Sequence, residues 1–201
     1  MKKRKIILGL LVIIILFGAF VASKFFGAAV STPSGEFFYV KTGATYDDVK
    51  KELVEKKYLA NSYWFDWTSK VLKYNTVKPG RYKLKKGMNL VNLVRMLRSG
   101  DQAVVNFVIT KIRTKEILAS RAGRSFECDS SAIIHFLNNA DSLRPFGFDT
   151  TTVMAAAMPL TYAINWNTTP GKIFRQFNTA YQQFWNTERK TKAAALGLTP
   201  I

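Results

Sequence analysis

VKTGATYDDVKKEL, Val40 to Leu53, is echoed 44 positions later by LKKGMNLVNLVRML, Leu84 to Leu97. Val40 lies over Leu84, Lys41 over Lys85, Gly43 over Gly87, Thr45 over Asn89, Tyr46 over Leu90, Asp48 over Asn92, Val49 over Leu93 and Leu53 over Leu97. Each copy runs from a β-forming or apolar residue through a glycine to a side chain with a capping oxygen, and then into apolar residues at helical spacing. Glycine gives the turn its backbone freedom. Thr or Asn two residues later accepts from the N–H groups that a first helical turn leaves free. The phrase therefore predicts a strand–turn–helix unit used twice, and with it an α+β fold of short strands and helices.

Working outward, FFYVK (Phe37 to Lys41) reads as the strand before the first turn, and Asp48 falls at the third position of the helix that Thr45 caps. Val49 and Leu53 share its buried face. A second helix begins near Asn61 or Ser62, with Trp64, Trp67, Val71 and Leu72 as its apolar side. TVKPGRYKL, Thr76 to Leu84, returns through a Pro-Gly turn into another strand. Leu90, Leu93, Val94 and Leu97 then supply an i, i+3, i+4, i+7 face, and Gly100 ends that helix.

Beyond this point AVVNFVI, Ala103 to Ile109, predicts a strand, and helices are expected from Thr114 to about Ala122 and from Asp129 to about Asn139. DSLRPFGFDTT, Asp141 to Thr151, reads as loop. Val153 to Thr168 is open between states, because MAAAM favours helix and Pro159 forbids a long one. Thr169 caps the last strong helix, Pro170 takes its first position, and Ile173, Phe177, Tyr181 and Phe184 line one side. AAALGLTPI closes a helix at Gly197, after which Thr199 and Pro200 carry a fresh start signal. The expectation is a chain cut at the threshold of its next helix.

The N-terminus bears on compartment. MKKRK precedes Ile6 to Ser23, 18 uncharged positions that span about 27 Å as a helix, close to the roughly 30 Å of a hydrocarbon core. Four basic residues precede the run and only Lys24 follows it before Lys41, which places the N-terminus in the cytoplasm and the remainder outside. A cleaved signal peptide is the competing reading, with Val21 and Ser23 as small residues before a cut. The length of the apolar run favours a retained anchor. Both readings export the rest of the chain. GAAVSTPSGE, Gly27 to Glu36, then reads as a short linker.

Thirty Lys and Arg against thirteen Asp and Glu give a net charge of +17. Without Lys2, Lys3, Arg4, Lys5 and Lys24 the balance is still 25 against 13, or +12. Such a field favours nucleic acid, lipid headgroups or an acidic wall polymer. Export argues against nucleic acid, which would need the domain to face the cytoplasm. A lone cysteine, Cys128, allows no internal disulfide and reads as a partly buried, unreactive thiol. One histidine and one cysteine cannot build a zinc site. His135, in AIIHFL, reads as a half-buried helix residue. No glycine-rich phosphate loop and no serine elbow occurs. Among carboxylates, Glu116 suits a first helical turn, Asp129 a cap and Glu188 a surface pair, while Glu127 has no structural job in the sequence.

An N-terminal anchor, the strand–GxT–helix phrase, PGRYKLKKGM followed by LRSG, IRTKEILA, PLTYAINWNTT and FWNTERKTKAAALGLTP, in that order, resembles the endolytic murein transglycosylases (MltG, YceG-like). The likeness covers essentially everything after residue 36. The first module also resembles LysM, a βααβ glycan-binding fold, on Val40-Lys41-Thr42-Gly43-Ala44-Thr45. The organisation implied is a basic tail and transmembrane anchor over 1–26, a linker over 27–36, a LysM-like module over 37–100, and over 101–201 the start of a mixed α/β catalytic domain that is cut short.

In such enzymes a buried glutamate with a raised pKa protonates the glycosidic oxygen while the C6 hydroxyl of muramic acid attacks its own anomeric carbon, leaving a 1,6-anhydro end. The resemblance puts that glutamate on a helix just after the LTP stretch, beyond Ile201, so no residue here inherits the catalytic role. Substrate contacts would come from Gly43, Thr45 and Tyr46, from Pro79, Gly80 and Arg81, and from Thr161 and Tyr162. Leu160 departs from the family, whose members usually carry an acid there. The implied partners are peptidoglycan glycan strands and the bilayer, crossed once, with cell-wall synthesis proteins admitted beside them; no cofactor and no metal is called for. The implied location is the bacterial inner membrane, with the bulk of the chain on its outer side. The competing function is a non-enzymatic peptidoglycan-binding or scaffold protein of the envelope.

Overall fold

A computed structural model describes residues 2–200 as a mixture of helices and short antiparallel strand pairs. The chain divides into two compact units, Met1–Ala103 and Val104–Ile201, each with its own apolar core.

The first unit opens with helix α1, Lys2–Phe26, whose segment Ile7–Phe26 is long and apolar enough to cross a membrane, with a mean hydropathy of 2.5. From Ile7 on it is apolar round its whole circumference, and its side chains from Ile7 to Phe17, with Phe20 and Phe26, are exposed, while Phe25 is half-buried. Strand β1, Phe37–Val40, pairs antiparallel with β2, Gly80–Lys83, in the register Phe38↔Tyr82 and Val40↔Gly80. Between them lie helices α2, Tyr46–Glu55, and α3, Tyr63–Val71; helix α4, Leu90–Ser99, follows β2.

The doubled phrase folds twice in the same way. Gly43 and Gly87 take left-handed φ values of 83° and 82°. Thr45 and Asn89 cap α2 and α4 from extended backbone, accepting from the N–H groups of Asp48 and Asn92 at 3.2 and 2.8 Å. Asp48 also accepts from the Thr45 N–H at 2.8 Å, completing a capping box. Val49 and Leu53 of α2, and Leu90, Val91, Leu93, Val94 and Leu97 of α4, are buried as the spacing predicts.

Helix α3 departs from the sequence reading. Its buried residues are Phe65, Thr68 and Ser69, whereas Trp67 and Val71 are 53% and 64% exposed, and Trp64 and Leu72 are half-buried. Positions 65, 68, 69 and 72 form one helical face, and two of them are polar. Thr68 donates its hydroxyl to the Trp64 carbonyl at 2.7 Å, which satisfies the group inside the helix and lets it pack. Apolarity alone therefore picks the wrong stripe. The segment 27–36 is tied down: Val30 is buried, Ala29 and Val30 donate to the Met88 carbonyl, and Gly87 donates back to Val30.

In the second unit β3, Val105–Val108, pairs antiparallel with β4, Thr161–Ile164. Helices α5, Lys115–Ser125, and α6, Ser130–Leu137, are capped by Thr114 and Asp129. Gly123 lets them meet, since a Cβ there would sit 2.5 Å from the Ser130 amide nitrogen. The stretch expected as loop holds a one-turn helix α7, Ala140–Leu143, capped by Asn139, and a 3₁₀ turn Arg144–Phe146. The open region resolves into a 3₁₀ turn Val153–Ala156 and the strand β4, whose alternating burial is a period-2 signal hidden by its four-residue length.

Helix α8, Pro170–Phe184, starts on Thr169 without a side-chain cap bond and buries Ile173, Phe174, Phe177 and Tyr181. Phe184, expected on that face, is exposed at the helix end and lies under the Arg189 guanidinium at 4.2 Å. Helix α9, Thr187–Ala195, runs on to Gly197, which has φ 67°.

Candidate functional site

In the first unit the turn after β1 delivers Tyr46 to the wall of a cleft of about 430 Å³ that Lys50, Asp66, Ser69, Lys70, Tyr74 and Asn75 complete. The Tyr46 ring stacks on Phe65 at 5.8 Å and meets Tyr74 edge-on at the same distance. Its hydroxyl donates to Asp66 Oδ1 at 2.8 Å. Lys50, one helical turn on, reaches Asp47 at 3.1 Å and Asp66 at 3.5 Å, and holds its ammonium 5.5 Å from the Tyr46 ring centre.

Burial pushes the Tyr46 phenol upward, and the hydrogen bond and charge of Asp66 add to this. Burial also raises Tyr74 to about 12. Both phenols thus stay neutral donors at ordinary pH. The Tyr74 hydroxyl is buried with no hydrogen-bond partner among the described residues. Aromatic walls beside neutral hydroxyls, an ammonium and a carboxylate suit a polyhydroxylated ligand that offers both apolar ring faces and hydrogen-bonding edges.

Of the other residues singled out in the sequence, Gly43 and Thr45 form the turn and cap leading into Tyr46. Pro79, Gly80 and Arg81 do not line this cleft. They are fastened instead to the segment after α4: Gln102 donates to the Pro79 carbonyl at 3.0 Å, Arg81 Nε donates to Ala103 at 3.2 Å, and a Cβ on Gly80 would meet the Gln102 side chain at 2.2 Å. The Arg81 guanidinium also lies 4.2 Å from the Phe37 ring centre. Sequence reasoning missed Lys50, Asp66, Ser69, Lys70, Tyr74 and Asn75. Tyr46 alone was singled out; Lys50, four residues on along the same helix, was the one further local signal, and the rest arrives from α3 and the loop after it.

In the second unit, Thr161 is exposed on β4 opposite Val108. Tyr162 faces inward, with its ring 4.7 Å from Phe177 and its hydroxyl donated to the Met158 carbonyl at 3.1 Å. Glu127 is half-buried, and its N–H donates to Trp166 at 2.9 Å. His135 is exposed, not half-buried, because Ile133 and Leu137 take the inner face of α6 and leave position 135 pointing out. Cys128 is half-buried, and burial raises its thiol, which keeps it protonated and inert. None of the thirteen carboxylates is buried; Glu52, Asp66 and Glu127 are half-buried and the others exposed. Asp149 is held far below the carboxylate range by the hydroxyls and N–H groups of Thr151 and Thr152. Among the described residues no group of three His, Cys, Asp or Glu side chains could hold a metal ion.

Comparison with known proteins agrees with the family resemblance carried by the sequence. The model of the YceG-like family matches residues 38–201. A comparison with curated proteins gave no match. Among solved structures, a yceG-like protein from Listeria monocytogenes aligns with 16% identity and a TM-score of 0.44, covering 82% of this chain. The chain spans 59% of that protein's length. With most of its residues matched by the family model, the chain belongs to the YceG-like family.

Proposed function

We propose that this protein is a membrane-anchored member of the murein transglycosylases, with α1 as its single span, its N-terminus in the cytoplasm and everything after α1 on the outer side of the bacterial inner membrane. The observation that carries this is the family match over residues 38–201. The four basic residues before the span support the orientation, and the surplus of positive charge suits an acidic wall polymer.

The βααβ order of β1, α2, α3 and β2 supports a LysM-like role for the first unit, with the Tyr46 cleft as the place where a glycan strand is held. Thr161 on β4 is the residue of the Thr161–Tyr162 pair that remains available to substrate, since Tyr162 is spent on packing.

The family reaction needs a proton delivered to the glycosidic oxygen while the C6 hydroxyl of muramic acid gives up its own proton and closes on C1. A carboxyl that serves as the acid near neutral pH must be kept protonated by burial. With none of the thirteen carboxylates buried, the residues of this chain hold and position glycan and do not supply that proton. The same observation favours the second reading, a peptidoglycan-binding protein without activity of its own. Incubation of the purified chain with peptidoglycan is expected to release no 1,6-anhydro products detectable by mass spectrometry. Their appearance, and their loss in Glu127→Gln, would place the acid at the half-buried Glu127 and overturn this assignment.

A further inference from the structure

Helix α3 turns an apolar line outward. Tyr63, Trp67 and Val71, at i, i+4 and i+8, are 60%, 53% and 64% exposed, and form a ridge about 12 Å long on the side of the helix away from its buried Phe65, Thr68 and Ser69. A ridge of this composition on an exported domain invites a partner, and its neighbours identify which one. The start of α3 is joined to the end of α1 by a run of aromatic contacts: the Phe25 ring meets Trp64 edge-on at 5.7 Å, and Trp64 meets Tyr63 at 5.2 Å. Where α1 spans the bilayer, Phe26 at its last position lies at the interface, and the first turn of α3 lies within one or two rings of it.

Charge agrees with a lipid partner. Lys70 and Lys73 are exposed at the far end of the ridge and Lys24 at the near end. The one acid on α3, Asp66, is turned away into the cleft, where Tyr46 and Lys50 occupy it. A smaller cleft of about 260 Å³, lined by Ser23, Lys24, Asn61 and Trp64 among others, opens beside the end of the span. Tyr and Trp with their apolar bodies in the acyl boundary and their polar tips in the headgroups, flanked by Lys, is the composition of a membrane interface.

We propose that α3 lies on the outer leaflet of the membrane that α1 crosses, with Tyr63, Trp67 and Val71 at the headgroup–acyl boundary and Lys70 and Lys73 against lipid phosphates. The anchor would then fix the tilt of the first unit as well as its distance from the membrane, and hold the Tyr46 cleft at one constant height. The proposal rests on the reading of α1 as the span; Lys70 also lines the Tyr46 cleft, whereas Tyr63, Trp67 and Val71 do not, so substitutions along the ridge test the docking without touching the cleft.

The test uses the full chain in nanodiscs of phosphatidylcholine and phosphatidylglycerol whose acyl chains carry bromine near the headgroup, compared with unbrominated discs. The emission that distinguishes the wild type from Trp67→Ser belongs to Trp67, which is exposed, so its replacement leaves the fold intact. That emission is expected to be lost in brominated discs and shielded from aqueous iodide. A Tyr63→Ser/Val71→Ser variant should regain part of both. Trp67 emission untouched by bromine overturns the proposal, whether iodide reaches the residue or a second copy of the chain shields it. A chain that does not co-purify with discs overturns the span reading, and the docking with it, and leaves glycan binding standing.

Discussion

Thr45 and Asp48 exchange hydrogen bonds in both directions at the start of α2, and the sequence shows both residues at the required spacing. Replacing Thr45 with Ala removes the acceptor for the Asp48 N–H and is expected to cost about 1 kcal/mol, a cap of ordinary strength. For a unit of this size that lowers the melting temperature by about 4–8 °C, read by calorimetry. The tyrosines carry the opposite lesson. Their sequence context says nothing of burial, yet Tyr74 and Tyr82 are both raised to about 12, and Tyr46 is raised as well. A phenol whose folded pKa lies above its unfolded value of about 10 contributes stability that is complete below pH 10 and is lost as pH rises from there toward 12. Circular dichroism and tyrosinate absorbance followed together should therefore show ionisation and unfolding rising in step over that interval. Ionisation of Tyr74 or Tyr82 near pH 10 with the fold intact, read in a Tyr63→Phe background that removes the exposed phenol, would contradict their burial.

Elements were legible where a backbone need is written in one residue type. Gly43 and Gly87 are glycines because the turn requires φ near 80°, and their spacing to Thr45 and Asn89 announces the helices that follow. The face of α3 was not legible, because Thr68 and Ser69 are buried on grounds that composition does not carry: an intrahelical hydrogen bond and small volume. Strand β4 was hidden by its brevity and by the helix-forming run before it. The approach of α5 to α6 was hidden too, since Gly123 in a helical sequence looks like a weakness. Alanine there gains up to about 1 kcal/mol in helix propensity, but its Cβ meets a backbone nitrogen of α6 at 2.5 Å, and overpacking costs about 1–3 kcal/mol. The clash wins, so Gly123→Ala is expected to destabilise the second unit in urea titration. Gly43→Ala, with open space around it, pays only the backbone cost of about 1–2 kcal/mol. A stabilised Gly123→Ala would mean that the two helices do not meet there.

At the scale of the whole molecule, the motifs taken together along the chain were more informative than any motif alone, and the family match covers residues 38–201, the stretch that holds them. The candidate site was only partly legible: Tyr46 was visible in the phrase, while Asp66 and Tyr74 join it through the fold of α3 and the loop after it. Charge was visible at once, but it is shared by every anionic partner, so salt separates a glycan site from a basic surface. Screening shortens to about 3 Å at molar salt and removes exposed electrostatics, leaving stacking and neutral hydrogen bonds in place. The most direct measurement is retention of the full chain on sedimented peptidoglycan across a salt series, for the wild type and for Tyr46→Ala. The expected result is retention that weakens with salt to a plateau, with the plateau lost in Tyr46→Ala and the salt-sensitive part preserved. Retention that vanishes at high salt for both proteins, or a plateau equally strong in Tyr46→Ala, would contradict a glycan-holding role for the cleft.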